Sequence, residues 1–144
     1  MGDHERSLEY YQKAIQVDPS KPELYEGVGA DLANLGRKEE AKAAFRKSLS
    51  LDPFRSNPHI ELAHLDKEEG NLKEAIEEYE SAFQLGETDL HEYTNLCTLY
   101  YSASEFEGSV ACLKRVLAID PRNKQAAQLL PYALQNVIGG GKDG

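Results

Sequence analysis

A shift of 34 residues carries this sequence onto itself, and that property constrains the fold more than any other feature. Tyr25 lands on His59 and then Tyr93, while Val28 lands on Leu62, Leu96 and Leu130. Gly29 maps to Ala63 and Cys97, and Ala41 maps back to Ser7 and forward to Ala75 and Ser109. Phe45 has counterparts at Tyr11, Tyr79 and Leu113, and Pro53 at Pro19 and Pro121. A fixed period of this length marks stacked helical hairpins, each too small to bury its apolar face alone. A chain of 144 residues built this way forms one elongated solenoid in which each unit touches only its neighbours.

Taken in order, the chain predicts eight helices and no strand. Residues 3–17 place Leu8, Tyr11, Ala14 and Ile15 at helical spacing, and Asp18-Pro19 stops the helix because the residue before proline leaves the helical region. Ser20 with Glu23 reads as a capping box, Pro22 fits the first turn, and Gly36 closes the helix. A partner helix over 38–51 follows, with small residues at Gly29, Ala41 and Ser48 where the two helices approach. Asn57-Pro58 is expected to open the next pair, with Asn71 capping a helix over 72–85. Asp89 and Glu92 form another capping box before a helix to about Ser102. Helices over 106–118 and 124–138 complete the set, the last carrying Pro131, where a kink is expected. The organisation is a half repeat (2–21), repeats 22–55, 56–89 and 90–123, a capping helix (124–138) and a flexible tail (139–144).

Composition excludes several functions. No apolar run is long enough to span a membrane and no apolar signal core opens the chain, so a cytoplasmic location without membrane insertion is expected. The net charge of −9 argues against nucleic acid, whose binding needs clustered Lys and Arg. Cys97 and Cys112 lie in helical patterns with no CxxC or Cys/His neighbour, which predicts reduced core thiols rather than a bridge or a zinc site. There is no phosphate-cradling glycine loop, nucleophile elbow or HExxH, so neither an enzyme nor a cofactor is expected.

The register resembles the tetratricopeptide repeat (TPR) family across roughly residues 2–138. Residues 22–55 match its pattern at Tyr25, Val28, Gly29, Leu32, Ala41, Phe45, Ser48 and Pro53, and residues 2–19 match its second half. The resemblance implies an all-α, right-handed superhelical solenoid of antiparallel helix pairs. It also implies a non-catalytic protein–protein interaction module or scaffold. His59 and Asp66 stand in slots that the family fills with large buried residues. Glu87 replaces a proline, and Ser109 and Val116 replace alanines; looser packing is expected at all of these.

In such an array the first helix of each pair lines the concave face. Projecting those slots gives a candidate peptide-binding groove of Asn57, Ile60, His64, His91, Thr94, Thr98, Tyr101, Gln125, Gln128 and Tyr132. Its amides and hydroxyls suit an extended peptide backbone, and its tyrosines offer flat contact area. The family's clamp for chaperone C-terminal carboxylates needs Lys and Arg in these slots. Here they hold Glu26, Ala30, Glu61, His91 and Asn95, so that ligand is not expected. His64 and His91 lack the spacing of a known metal site and read as surface histidines.

Charge is uneven along the chain. Residues 56–89 carry ten acids against two lysines, whereas 22–55 balance six acids with six bases. Contact between the basic helix 38–51 and the acidic helix 72–85 is expected. The helix at 3–17 lacks a hairpin partner, so Leu8, Tyr11 and Ile15 are expected to stay partly exposed. Either the segment is cut from a longer array, or another molecule covers that end. The alternative function is a scaffold that self-associates as a homo-oligomer through these residues and the charged outer helices.

Overall fold

The computed structural model describes residues 2–140, so the tail at 141–144 lies outside the described residues. Eight helices and no strand are present among them. They are α1 (Gly2–Val17), α2 (Pro22–Asn34), α3 (Lys38–Leu51), α4 (Ser56–Glu68), α5 (Leu72–Gln84), α6 (Leu90–Ser102), α7 (Phe106–Ile119) and α8 (Lys124–Gly140). α2/α3, α4/α5 and α6/α7 form antiparallel pairs, and α1 and α8 are single helices at the two ends. α2 touches α4 and α6 touches α8, so the first helices of successive pairs line one side. α8 runs unbroken through Pro131 and takes in Gly139 and Gly140, which were expected in the tail.

Turn chemistry repeats with the period. Within each pair the second residue after the first helix enters the left-handed region, with φ of 78° at Gly36, 81° at Gly70 and 62° at Ser104. One residue later the chain donates back across the helix end: Arg37 to Leu32, Asn71 to Asp66 and Glu105 to Tyr100. Between pairs, Asp18, Asp52 and Asp120 each accept the backbone N–H two residues on, at 3.0–3.1 Å. This turn replaces the caps expected at Ser20 and Asn57. α2 and α4 start after Lys21 and Arg55 without a side-chain cap, and Ser20 bonds back to Asp18. Asn71 precedes α5, but its amide donates to Glu69 instead of capping. Asp89 does cap α6, accepting from the N–H groups of His91 and Glu92.

The core follows the small and large slots of the repeat. Phe45, Tyr79 and Leu113 are fully buried, each opposite Gly29, Ala63 or Cys97 in its partner helix. A side chain placed on Gly29 meets the Phe45 ring at 2.8 Å, so the close approach requires glycine there. Burying each of the three large side chains stabilises the fold by roughly 1.5–3 kcal/mol.

Two expectations about this core are corrected. Cys97 and Cys112 are not free thiols: they form a disulfide joining α6 to α7, with Cα atoms 5.3 Å apart. Cys97 occupies the smallest slot of the pair, which brings its partner helix to bridging distance although 15 residues separate the two in sequence. Nor is packing loose at the atypical slots. Ser109 and Val116 are fully buried, and Ser109 Oγ donates to the Cys97 carbonyl at 3.0 Å. His59 Nδ1 meets Glu78 at 2.6 Å, and Glu87 accepts from the N–H groups of Thr88 and Asp89 to shape its own turn.

Asp66 is buried against the Lys42 ammonium at 2.8 Å, and Glu69 completes the site at 2.6 Å from the same nitrogen. The cations of α3 therefore meet α4, where Lys38 also pairs with Glu68 at 3.1 Å, and not the expected α5. The reason is that α3 packs on α4, the next helix in the solenoid. Burial pulls the Lys42 ammonium down, but the hydrogen bonds to Asp66 and Glu69 outweigh it and hold its pKa above the ordinary 10.5.

At the first turn of the solenoid, His4 Nδ1 lies 3.1 Å from Asp31 Oδ1, and the buried Asp31 Oδ2 has no hydrogen-bond partner. Asp31 occupies a slot held by Leu65 and Leu99 in the next two pairs. Leu8 is only 7% exposed, because the expected exposed stripe turns inward onto α2; Tyr11 and Ile15 are half-buried. The Tyr11 ring lies over Gly27 of α2.

Candidate functional site

The first helices α2, α4, α6 and α8 present a polar groove with two chemically distinct halves. In the C-terminal half, Thr98, Gln125, Gln128, Leu129 and Tyr132 line a recess of about 260 Å³. Gln125 Nε2 donates to Thr98 Oγ1 at 3.1 Å, and Thr98 Oγ1 donates to the Thr94 carbonyl at 3.0 Å. Tyr132 is 60% exposed at its rim. The amides retain acceptors and donors for a backbone, and the ring offers an apolar face.

The central half is organised by Glu92. Its carboxylate accepts from His64 Nε2 at 2.9 Å, from the Tyr79 hydroxyl at 2.9 Å and from Asn95 Nδ2 at 3.3 Å. Burial pushes the Glu92 carboxyl up, but the His64 and Tyr79 hydrogen bonds more than offset it and leave its pKa below the ordinary carboxylate value. The Tyr79 hydroxyl is pushed well above its usual range by burial and by the Glu92 charge. Burial raises the neighbouring Glu61, with the charges of Glu92 and Glu26 adding to the effect against the pull of His64. Towards α2, Glu26 binds Arg55 Nε, and Ser48 Oγ donates to it at 3.5 Å. The groove thus runs from carboxylates at its N-terminal end to amides and hydroxyls at its C-terminal end.

Of the residues that the sequence singled out, Thr98, Gln125, Gln128 and Tyr132 come together and His64 lies on the same side. Asn57 and His91 are exposed at helix starts. Tyr101 packs edge-on against Phe106, with ring centroids 5.4 Å apart. Ile60 and Thr94 do not line the groove. They are 5% and 1% exposed, because their shared slot points toward the following pair; Ile60 packs among Tyr79, Leu96 and Leu99. Sequence reasoning missed Glu92 as the hub, having assigned it to a capping box, and missed Leu129 in the recess. Among the described residues no cluster of His, Cys, Asp and Glu is arranged to hold a metal ion, and no helix is long and apolar enough to cross a membrane.

Helix pairs stacked at a fixed period around a polar inner face define a helical-repeat solenoid. Models described as "Tetratricopeptide repeat" match residues 22–55 and 1–21, so these two segments are tetratricopeptide repeats. The chain is 32% identical over 84 residues to the peroxisomal targeting signal receptor of Kluyveromyces lactis, covering 58% of this chain and 15% of that protein. Among solved structures it is similar to YrrB, described as a TPR protein with an unusual peptide-binding site. That match has a TM-score of 0.80 and 20% identity over 90% of this chain and 66% of YrrB. It is also similar to MamA, with a TM-score of 0.81 and 21% identity over 94% of this chain and 74% of that one. The chain therefore spans a small fraction of the length of its curated relative, and the structural likenesses show the fold.

Proposed function

We propose that this chain is a non-catalytic module that binds an extended segment of a partner protein in the groove of its first helices. The observation that carries this is the recess at Thr98, Gln125, Leu129 and Tyr132, where backbone-binding amides surround an apolar floor beside a part-exposed tyrosine. An extended peptide would pair its backbone with the Gln125 and Gln128 amides and lay one side chain between Leu129 and Tyr132. Its other end would run toward Glu92, Glu61 and Glu26, which favours a basic residue there and disfavours a terminal carboxylate. The groove is accordingly the wrong sign for a chaperone C-terminal carboxylate. Selection from a displayed peptide library tests this, comparing the chain with its Gln125→Ala, Tyr132→Ala variant. Enrichment of Lys- or Arg-bearing peptides by the unaltered chain alone is the expected result. Equal enrichment by both, or none by either, would sink the proposal.

A further inference from the structure

A second groove lies on the side of the second helices, between α5 and α7, with α6 as its floor. It holds two adjoining recesses that meet at Tyr93 and Arg115. The first, of about 550 Å³, is largely apolar and is lined by Phe83, Leu90, Tyr93, Ala118 and Ile119. Phe83 and Tyr93 pack edge-on with ring centroids 5.1 Å apart, and Ile119 is 70% exposed. The second, of about 480 Å³, combines Tyr100 with the carboxylates of Glu80 and Glu105, and α7 contributes Gly108 and Ala111 to it. The Tyr100 hydroxyl donates to Glu80 at 2.6 Å. Burial, then the Glu80 carboxylate and the charge of Glu105, push that hydroxyl well above its usual range. Neither recess shares a residue with the one at Thr98 and Gln125.

The groove belongs to this pair and not to the repeat in general. At the slots of Tyr93 and Tyr100 the preceding pair carries His59 and Asp66, and at those of Gly108 and Ala111 it carries Glu74 and Glu77. His59 meets Glu78 at 2.6 Å and Asp66 meets Lys42 at 2.8 Å, so the polar groups there close on one another. Aromatic rings and small side chains take their place around α6 and α7, and they leave a half-buried apolar surface open to solvent.

Charge decides what fits that surface. α5 carries four glutamates against Lys73, and Glu87 and Glu105 add two more carboxylates along the groove. Among the described residues Arg115 is the one cation lining it, and its Nη1 donates to the Tyr93 hydroxyl at 3.4 Å. Such a wall attracts basic side chains and repels acidic ones. The small side chains of α7 let a helix approach closely. Ala111 and Ala118, one in each recess, are seven residues apart, or about 10 Å and two helical turns along α7.

We propose that this groove docks a basic amphipathic helix of a partner protein, with an apolar anchor in the Phe83–Ile119 recess and a Lys or Arg two turns away in the Glu80–Glu105 recess. The basic side chain lays its stem on the Tyr100 ring and its charge against the two carboxylates. Arg115, under the turn between the anchors, rejects a cation at that position. This contact is separate from the extended segment held by the first helices.

Alanine-based helical peptides of about 18 residues, long enough to hold a helix, serve as probes in fluorescence anisotropy. They carry leucine and lysine seven residues apart, in either order. One order should bind, and replacing its lysine by glutamate or moving it to the middle turn should weaken binding by at least about tenfold. Ile119→Glu should weaken it as much, and Glu105→Lys should make the glutamate peptide the better ligand. Both positions are exposed, and circular dichroism confirms that the variants are folded. The Gln125→Ala, Tyr132→Ala variant should bind the helical peptide like the unaltered chain. Failure of both orders to bind overturns the proposal, as do equal binding of lysine and glutamate peptides or indifference to Ile119→Glu. Loss of binding in the Gln125→Ala, Tyr132→Ala variant would move the site to the inner groove and also overturn it. So would self-association of the chain alone that Ile119→Glu abolishes, which would make a second copy the occupant.

Discussion

The Lys42 ammonium lies 2.8 Å from the Asp66 carboxylate across the α3–α4 contact, and both side chains are less than a tenth exposed. Removing either partner strands a buried charge, so Lys42→Ala should lower stability by about 3–5 kcal/mol in urea denaturation. The double change Lys42→Met, Asp66→Leu should recover most of that loss. Because the Lys42 pKa is raised in the folded state, its contribution is fully present below pH 10.5 and is lost only as pH climbs through the raised value. Stability measured from neutral to strongly alkaline pH should therefore hold before it falls.

Glu92 works in the opposite direction. Its folded pKa lies below the ordinary 4.5, so its stabilisation is present above that value and is lost as pH falls through the lower folded one. Glu92→Gln should reduce the acid sensitivity of thermal unfolding and leave the alkaline limb as it is.

Ser104 holds a φ of 62° at the turn where the earlier pairs place Gly36 and Gly70. A side chain in the left-handed region costs about 1–2 kcal/mol. Ser104→Gly should therefore raise stability by about 1 kcal/mol, read as a higher urea midpoint at unchanged slope.

Asp31 buries a carboxylate oxygen without a partner in a slot otherwise filled by leucine. Leaving such a group unsatisfied costs about 1–3 kcal/mol. Asp31→Leu should stabilise the α1–α2 contact by a similar amount, seen as slower amide exchange in α1.

Cys97 is 0% and Cys112 4% exposed, so their disulfide should resist dithiol reductants until the α6/α7 pair opens. A Cys97→Ala, Cys112→Ala chain should lose about 3 kcal/mol, as expected for a closed loop of 15 residues. Parallel thermal unfolding of the two chains with and without reductant measures both effects.

The 34-residue period by itself determined the eight helices, their pairing and the buried slots at Phe45, Tyr79 and Leu113. One period repeats both the apolar stripe and the turn residues, and each copy confirms the register of the others. The inward-facing slots that the family resemblance implies pointed to the recess residues Thr98, Gln125, Gln128 and Tyr132. Periodicity places a side chain on a helix face only to within about a residue, which is why Ile60 and Thr94 were expected in the groove and are found beneath it.

Tertiary structure alone decided who pairs with whom. His64 meets Glu92, Lys42 meets Glu69, Gln125 meets Thr98 and His4 meets Asp31, all between residues 27 or 28 apart. Those separations join different helices, often of successive pairs, and depend on how closely the helices pack rather than on the pattern of either one. The Cys97–Cys112 bond has the same origin, since only the close approach at a small slot brings the two sulfurs together. Local helical order was legible in the sequence because it is short-ranged. Polar partners were not, because they arise from the stacking of one unit on the next.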